Sequence, residues 1–411
     1  MKQDLDRLMQ ERRLDAALVL GSTLSSPTVY YLTGGAKLEN VAILLRPGQR
    51  GVLIHGPMER DIAAATGLEC IPITRWDLAA IVREMEGNLL RARAEQLRRI
   101  LADLGVSGRV GVYGHGEIGQ SLALMQQLAA VATDLEIVAE YADDLITAAR
   151  VTKDAAEARL MADVGRRADA VVTALADLLT GRPVADGHLL APDGQPLTVA
   201  HVKAFIQEQC ARQGLEQPGG NIFALGRDGG VPHNQGNPAD VIALGVPIVF
   251  DFFPRPVGGG YYHDMTRTWC LGYAPEPVQE AYAQVMAIFN RVMDSLRVGE
   301  RCAHYQEMTC EFFEAHGHPT IQSDPSTTVG YVHSLGHGLG LEIHEAPGFR
   351  AVAGNTAVVQ PGMVFTVEPG LYYEAQGFGV RIEDTVYCDE AGVFHSLTPF
   401  PKDLVLPVRR A

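Results

Sequence analysis

The chain has 411 residues, 47% of them hydrophobic and 20% charged, with a formal net charge of −15. That length supports two domains with sizeable cores, and the acidic balance excludes binding nucleic acid by bulk electrostatics. No run approaches the roughly 18 consecutive apolar residues of a membrane span, and the charged opening stretch has no apolar signal core, so cytoplasmic residence with no membrane partner is the expectation. The N-terminal part, 1–148, reads as a small α/β domain. An amphipathic helix opens it, followed by a buried strand at Ala16–Leu20 and a helical turn that ends at the Gly34-Gly35 pair. A hairpin of Val41–Leu45 and Gly51–Ile54 turns at Pro47-Gly48. A helix over Leu89–Leu104, a strand at Val110–Tyr113, another helix and a strand at Leu135–Ala139 complete it.

A boundary falls near Arg150–Lys153, which leaves 149–411 as the second domain. Thr152 is placed to cap a helix over Lys153–Leu179, with Glu157 in its first turns. Further helices are predicted at Val199–Gln213, Pro277–Leu296 and Cys302–His316. Gly362–Val367 and Phe378–Cys388 read as antiparallel strands joined by a hairpin, which makes this domain α+β. The six cysteines form no CxxC pair and read as reduced, buried small hydrophobes.

The chemistry lies in the order of acids and imidazoles along the second domain. In VPIVFDFFPRPVGGGYYHDMTRTWC, Asp251 closes an apolar strand and Asp264 opens the next, so a fold-back brings two carboxylates together. YVHSLGHGLGLEIHE sets His333, His337 and His344 among glycines, read as room for a ligand to approach the backbone. VFTVEPGL and GVRIEDTV each put a glutamate, Glu368 and Glu383, inside an apolar strand, where Glu is disfavoured. Each acid alone has an ordinary explanation as a turn residue or a salt bridge, with Arg381 an obvious partner. Together, four carboxylates and one imidazole exceed what a structural zinc site uses and suit two divalent ions that assist hydrolysis.

These motifs closely resemble metallopeptidase family M24, the pita-bread-fold family of methionine aminopeptidases, Xaa-Pro aminopeptidases and prolidases. The resemblance covers about 150–405, with a weaker creatinase-type likeness over 1–148. HSLGHGLGLEIHE resembles the signature of the proline-specific branch, accompanied by Asp264-Met265-Thr266-Arg267-Thr268, Glu368-Pro369-Gly370 and Arg381-Ile382-Glu383-Asp384. The resemblance implies a pita-bread catalytic domain behind a smaller creatinase-like one. It implies two divalent ions per subunit, Mn²⁺ or Zn²⁺ with Co²⁺ also admitted, held by Asp251, Asp264, His337, Glu368 and Glu383. Asp264 and Glu383 would bridge the ions, and Glu368 would be the general base for a metal-bridging hydroxide. His233 and His344 match the substrate-side histidines, and Arg381 would pair with a ligand carboxylate. The substrate implied is a small peptide with proline at the second position, cleaved by a homodimer. Asp251 and Asp264 are 13 apart, two more than is common in the family, which lengthens the loop between them.

A dipeptidase also needs a cation for the substrate carboxylate, for which Arg255, His333 or an N-terminal-domain arginine such as Arg46 of a partner subunit are candidates. The preferred reading is an Xaa-Pro dipeptidase, with an Xaa-Pro aminopeptidase as the alternative. A peptide-binding relative without metal is disfavoured, because all five ligand positions are filled. A dinucleotide-binding oxidoreductase rests only on Gly114-His115-Gly116-Glu117-Ile118-Gly119, a GxGxxG after a strand, with Glu140 following.

Overall fold

A computed structural model of the chain describes residues 4–408; the first three residues of the opening amphipathic stretch lie outside them. The described chain divides into two compact units, up to Arg150 and from Val151. Among the described residues no helix is long and apolar enough to cross a membrane, and all six cysteines are free.

The first unit is built on a six-stranded mixed sheet. After helix α1 (Leu5–Glu11) come β1 (Ala16–Gly21) and helix α2 (Pro27–Thr33), which Ser26 caps and Gly34 ends in the left-handed region. Strands β2 (Val41–Leu45), β3 (Val52–His55) and β4 (Glu69–Pro72) follow, then helix α3 (Leu89–Asp103), β5 (Gly108–Gly114), helix α4 (Ile118–Val131) and β6 (Leu135–Val138). The strand order is β4-β3-β2-β1-β5-β6, with β5 parallel to both β1 and β6. Leu18, Ile54, Leu97, Ile100, Val110 and Leu128 form the core between sheet and helices.

The GxGxxG segment has a local explanation. A Cβ on Gly114 would collide with the Leu20 carbonyl of the neighbouring strand, so glycine is required for strand packing. The Glu140 carboxylate already accepts from Arg12, Tyr113 and the Leu145 N–H, leaving it no role at a ribose.

The second unit opens with helix α5 (Ala155–Gly181). Its cap differs from expectation. Asp154, not Thr152, accepts from the Ala156 and Glu157 N–H groups at 2.8 and 2.9 Å, while the Glu157 carboxylate accepts from the Asp154 N–H. Glu157 is therefore the third residue of a complete capping box, and Thr152 instead bridges to Met363. Replacing Asp154 with Ala is expected to cost about 1 kcal/mol in urea unfolding, with the m-value unchanged.

Two sheets follow, each backed by helices. Helix α6 (Val199–Arg212) and α5 cover a sheet made of β7 (Ile222–Leu225), β8 (Pro247–Phe252), β9 (Met265–Leu271) and a late strand at Val405–Leu406. Apolar residues recur along α5 at Val164, Ala168, Val171, Leu175 and Leu179, the spacing that faces one side of a helix onto Phe250 and Trp269. Helices α7 (Glu276–Ser295) and α8 (Cys302–Ala315) border the second sheet, with Val285, Ile288, Tyr305 and Phe313 packed against Phe365, Val367 and Val386. That sheet contains β10 (His337–Gly338), β11 (Glu345–Gly348), β12 (Val364–Val367) and, further on, Asp384–Cys388 and Phe394–Ser396.

The run Phe378–Cys388 is two strands rather than one. Between β12 and Asp384 the chain makes its own hairpin, β13 (Gly370–Tyr373) against β14 (Phe378–Arg381), and only then does β15 (Asp384–Cys388) pair with β12. The break at Ile382-Glu383 lets Glu383 form a single antiparallel bridge to Thr266, which joins the two sheets.

Candidate metal centre

All five predicted ligands stand along that junction. Asp251, on β8, lies opposite Thr266 of β9. Asp264 sits one residue before β9 rather than within it, yet it still comes close enough for the Asp251 charge to act on it. His337 starts β10, Glu368 follows β12, and Glu383 is at the strand break. Asp264, His337 and Glu383 each offer a ligand atom within 4.8 Å of the others. The His337 Nε2 lies 3.5 Å from Glu368 Oε1 and 3.8 Å from Asp264 Oδ2, too long for good hydrogen bonds.

The electrostatics ask for a cation. Two buried carboxylates, Asp264 and Glu383, and two half-buried ones, Asp251 and Glu368, surround one guanidinium, that of Arg381. Burial pushes the carboxyls of Asp251, Asp264, Glu368 and Glu383 up, and mutual repulsion adds to it at Asp264, Glu368 and Glu383. One oxygen of Asp251, Oδ1, is buried with no hydrogen-bond partner, an expensive state for a carboxylate. Burial and the neighbouring His344 hold His337 down to about 4, so its ring is neutral. Its Nδ1 lies 3.1 Å from the Gly338 carbonyl and donates there, which leaves the Nε2 lone pair facing the acids. Oxygen donors plus one correctly oriented imidazole fit divalent ions.

Strand register explains how the acids are held. Arg381 donates from Nη2 to Asp251 at 2.6 Å, from Nε to the Thr266 hydroxyl at 2.9 Å and from Nη1 to the Tyr372 hydroxyl at 2.7 Å. Thr266 in turn donates its hydroxyl hydrogen bond to Glu383 Oε2 at 2.7 Å. Thr366 accepts from the His337 N–H and donates toward Glu368. Thr266, Thr366 and Tyr372 were not singled out in the sequence; the alternation of β9, which points Thr266 to the Asp251 face, was the available signal.

Burial keeps His333 neutral, at about 3. Its Nδ1 donates to the Ser334 carbonyl and its Nε2 accepts from Tyr372, at 2.7 and 2.8 Å. With both nitrogens used and no charge, His333 cannot supply the cation expected of it for a substrate carboxylate. Arg255 is held by Glu216 at 2.8 Å and lies over the Tyr262 ring, so its charge is already matched. Arg46, in the first unit, donates to the Leu104 carbonyl. His233 and His344 are exposed. His233 lies near Asp251, His333 and His344, and the His344 ring stands 4.3 Å from that of His337. Both histidines therefore stand on the solvent side of the acids.

The glycines of the His segment serve a different purpose from the one expected. A Cβ on Gly336 or Gly338 would collide with the Thr366 or Ala346 carbonyl. They permit close approach of the protein's own backbone. The lengthened loop after Asp251 is braced, since Arg255-Pro256 pairs with Leu215-Glu216 and Gly258–Gly260 take positive φ values of 86–137°.

The raised carboxyls carry a pH signature. Their folded values lie above the unfolded ones, so their contribution to stability is present at low pH and is lost as pH rises toward about 8, the value for Glu383. The depressed histidines act oppositely but only below 6.5, their ordinary value. Between pH 6.5 and 8 the metal-free protein is therefore expected to lose Tm, whereas metal-loaded protein holds its Tm and releases protons on loading. Parallel melting curves with and without chelator check this; identical pH dependence would refute it.

The profile "Metallopeptidase family M24" matches residues 159–390, and "Creatinase/Prolidase N-terminal domain" matches residues 2–150. The chain belongs to metallopeptidase family M24 and carries the pita-bread fold, and the family implies divalent metal ions. It is 28% identical over 277 residues to the "probable dipeptidase PepE" of Mycobacterium tuberculosis; the match covers 67% of this chain and 66% of that protein, just under two thirds of it. It is 25% identical over 390 residues to the Xaa-Pro dipeptidase of Pyrococcus horikoshii, 93% of each chain. The crystal structure of the prolidase from Pyrococcus horikoshii shares the fold, with a TM-score of 0.73 at 22% identity over 98% of this chain and 99% of that one. An Xaa-Pro dipeptidase structure from Bacillus anthracis gives 0.76 at 22% identity over 98% of each.

Proposed function

We propose that the protein hydrolyses the Xaa-Pro bond of dipeptides. The observation that carries this reading is the convergence of Asp251, Asp264, His337, Glu368 and Glu383 at one seam, with two exposed histidines on its open side. Relatives named Xaa-Pro dipeptidase support the substrate class.

In this reading Asp251, Asp264, His337, Glu368 and Glu383 would together hold two divalent ions. The carboxylate-rich set suits Mn²⁺, and its imidazole also admits Zn²⁺ or Co²⁺. The ions, when bound, supply the Lewis acidity that makes water a nucleophile near neutral pH. Glu368 takes the proton from the attacking water and delivers it to the departing proline nitrogen. His344 donates a hydrogen bond to the carbonyl oxygen as it gains charge, and His233 orients the substrate beside it. Arg381 opposes the upward push of burial on Asp251 and aims its carboxylate, and Thr266 does the same for Glu383. A homodimer belongs to this reading on the family resemblance alone.

The test is hydrolysis of Ala-Pro beside Ala-Pro-Ala by chelator-stripped protein with Mn²⁺ or Zn²⁺ restored. Metal-dependent cleavage of the dipeptide is the expected result. Cleavage of the tripeptide alone would make the protein an Xaa-Pro aminopeptidase, and cleavage of neither would remove the proline-specific reading.

A further inference from the structure

Lys153 and Glu345 form an ion pair at 3.3 Å with side chains only 2% and 5% exposed. Neither is a metal ligand. Two charges so far from water gain little over an apolar pair of the same size, so fold stability alone is a weak account of them. What the pair holds is specific. Glu345 follows His344 directly, and its other carboxylate oxygen accepts the Glu342 N–H at 3.0 Å, closing the turn that carries His344. A Cβ on Gly340 would run into the Glu345 carboxylate, so a larger residue there would displace it. The Gly340 carbonyl accepts from the Tyr262 N–H at 2.8 Å, and the Gly340 N–H donates to the Glu342 carbonyl. The turn is thus built around one carboxylate.

Lys153 fixes that carboxylate to a rigid point. Its own N–H donates to the Gly362 carbonyl at 2.7 Å, and the next residue, Asp154, caps α5. The start of a 27-residue helix therefore sets the position of a short exposed turn.

We infer that Lys153, acting through Glu345, is a positioning residue for His344. This rests on the reading of His344 as the group that meets the scissile carbonyl. It names a determinant of the reaction outside the ligand set, joined to the site across most of the second unit's sequence.

The experiment uses the double variant Lys153→Met/Glu345→Gln, which removes both charges of the pair and keeps an oxygen for the Glu342 N–H. Three quantities are read on full-length, metal-saturated protein: Tm, kcat and KM for Ala-Pro, and the ring signals of ¹³C-labelled histidine, with His344 assigned through His344→Gln. The expected result is a Tm near wild type, kcat lowered about tenfold with KM unchanged, and a displaced His344 signal while those of His201 and His395 stay. A double variant with restored Tm, wild-type kcat and an unmoved His344 signal would overturn the inference and reduce the pair to fold stability. Where wild type itself fails to cleave Ala-Pro, the dipeptidase reading falls, and the histidine signal still decides whether Lys153 places His344. Should the double variant not fold, Lys153→Arg keeps the charge but shifts its donors; a smaller fall in kcat with a displaced His344 signal is expected, and no change in either overturns the inference.

Discussion

Glu368→Gln is expected to lower kcat for Ala-Pro by about 10²–10⁴, the usual worth of a positioned general base. The amide keeps an oxygen in the ligand position and removes the group that carries the proton. Of the histidines beside Glu368, His337 turns its lone pair toward the acids, and His333 is locked by Ser334 and Tyr372. KM should change little, because the interaction that is lost belongs to the transition state. The comparison is made at saturating metal with ion content measured by elemental analysis. A fully loaded variant with near-wild-type kcat would take the base role from Glu368.

Arg381→Met is expected to act on the metal-free protein before it acts on catalysis. The guanidinium is the one positive group among the four acids, and three of its N–H donors are committed to Asp251, Thr266 and Tyr372. Its removal leaves Asp251 buried beside other carboxylates, which breaks a buried pair from one side at a cost of about 3–5 kcal/mol. Metal affinity should fall about 10–100-fold, since Asp251 and Glu383 both lose their orientation. Arg381→Lys recovers only part of this, because a point charge on a flexible stem reaches one of the three partners. Chelator competition and urea unfolding read the two effects separately; unchanged metal affinity in the methionine variant would refute the role.

The candidate ligands were legible in the sequence because they are anomalies. An aspartate ending VPIVFD and a glutamate inside FTVEPG violate what apolar strands prefer, and the violation is itself the signal. The elements that carry them were legible through ordinary periodicity, as with α5 and the Val41–Leu45 hairpin. β4 was not, because Glu69–Pro72 is short, half-exposed and ends in proline. The supporting residues were hidden for a different reason. Thr266, Thr366 and Tyr372 are ordinary strand formers, and their roles exist only once register sets them beside Asp251, Glu368 and Arg381. Lys153 and Glu345 lie 192 positions apart, and no local pattern links them. The glycines around His337 were visible, but what crowds them is a strand that sequence order does not reveal. The cap of α5 was misplaced by two residues, since Thr152 and Asp154 are both good caps and only Asp154 has Glu157 three residues on.

The bridge between Thr266 and Glu383 gives the ions a second consequence. Asp251 and Asp264 come from one sheet, and His337, Glu368 and Glu383 belong to the other or to its edge, so ions held as proposed would tie together chain segments that are remote in sequence. A tie of that kind acts on the unfolded chain as a disulfide does, by removing loop freedom. Ion binding is therefore also folding free energy for the whole second unit. A cell short of the ion would hold this protein in a looser state, open to proteolysis, and metal supply would set its abundance together with its activity.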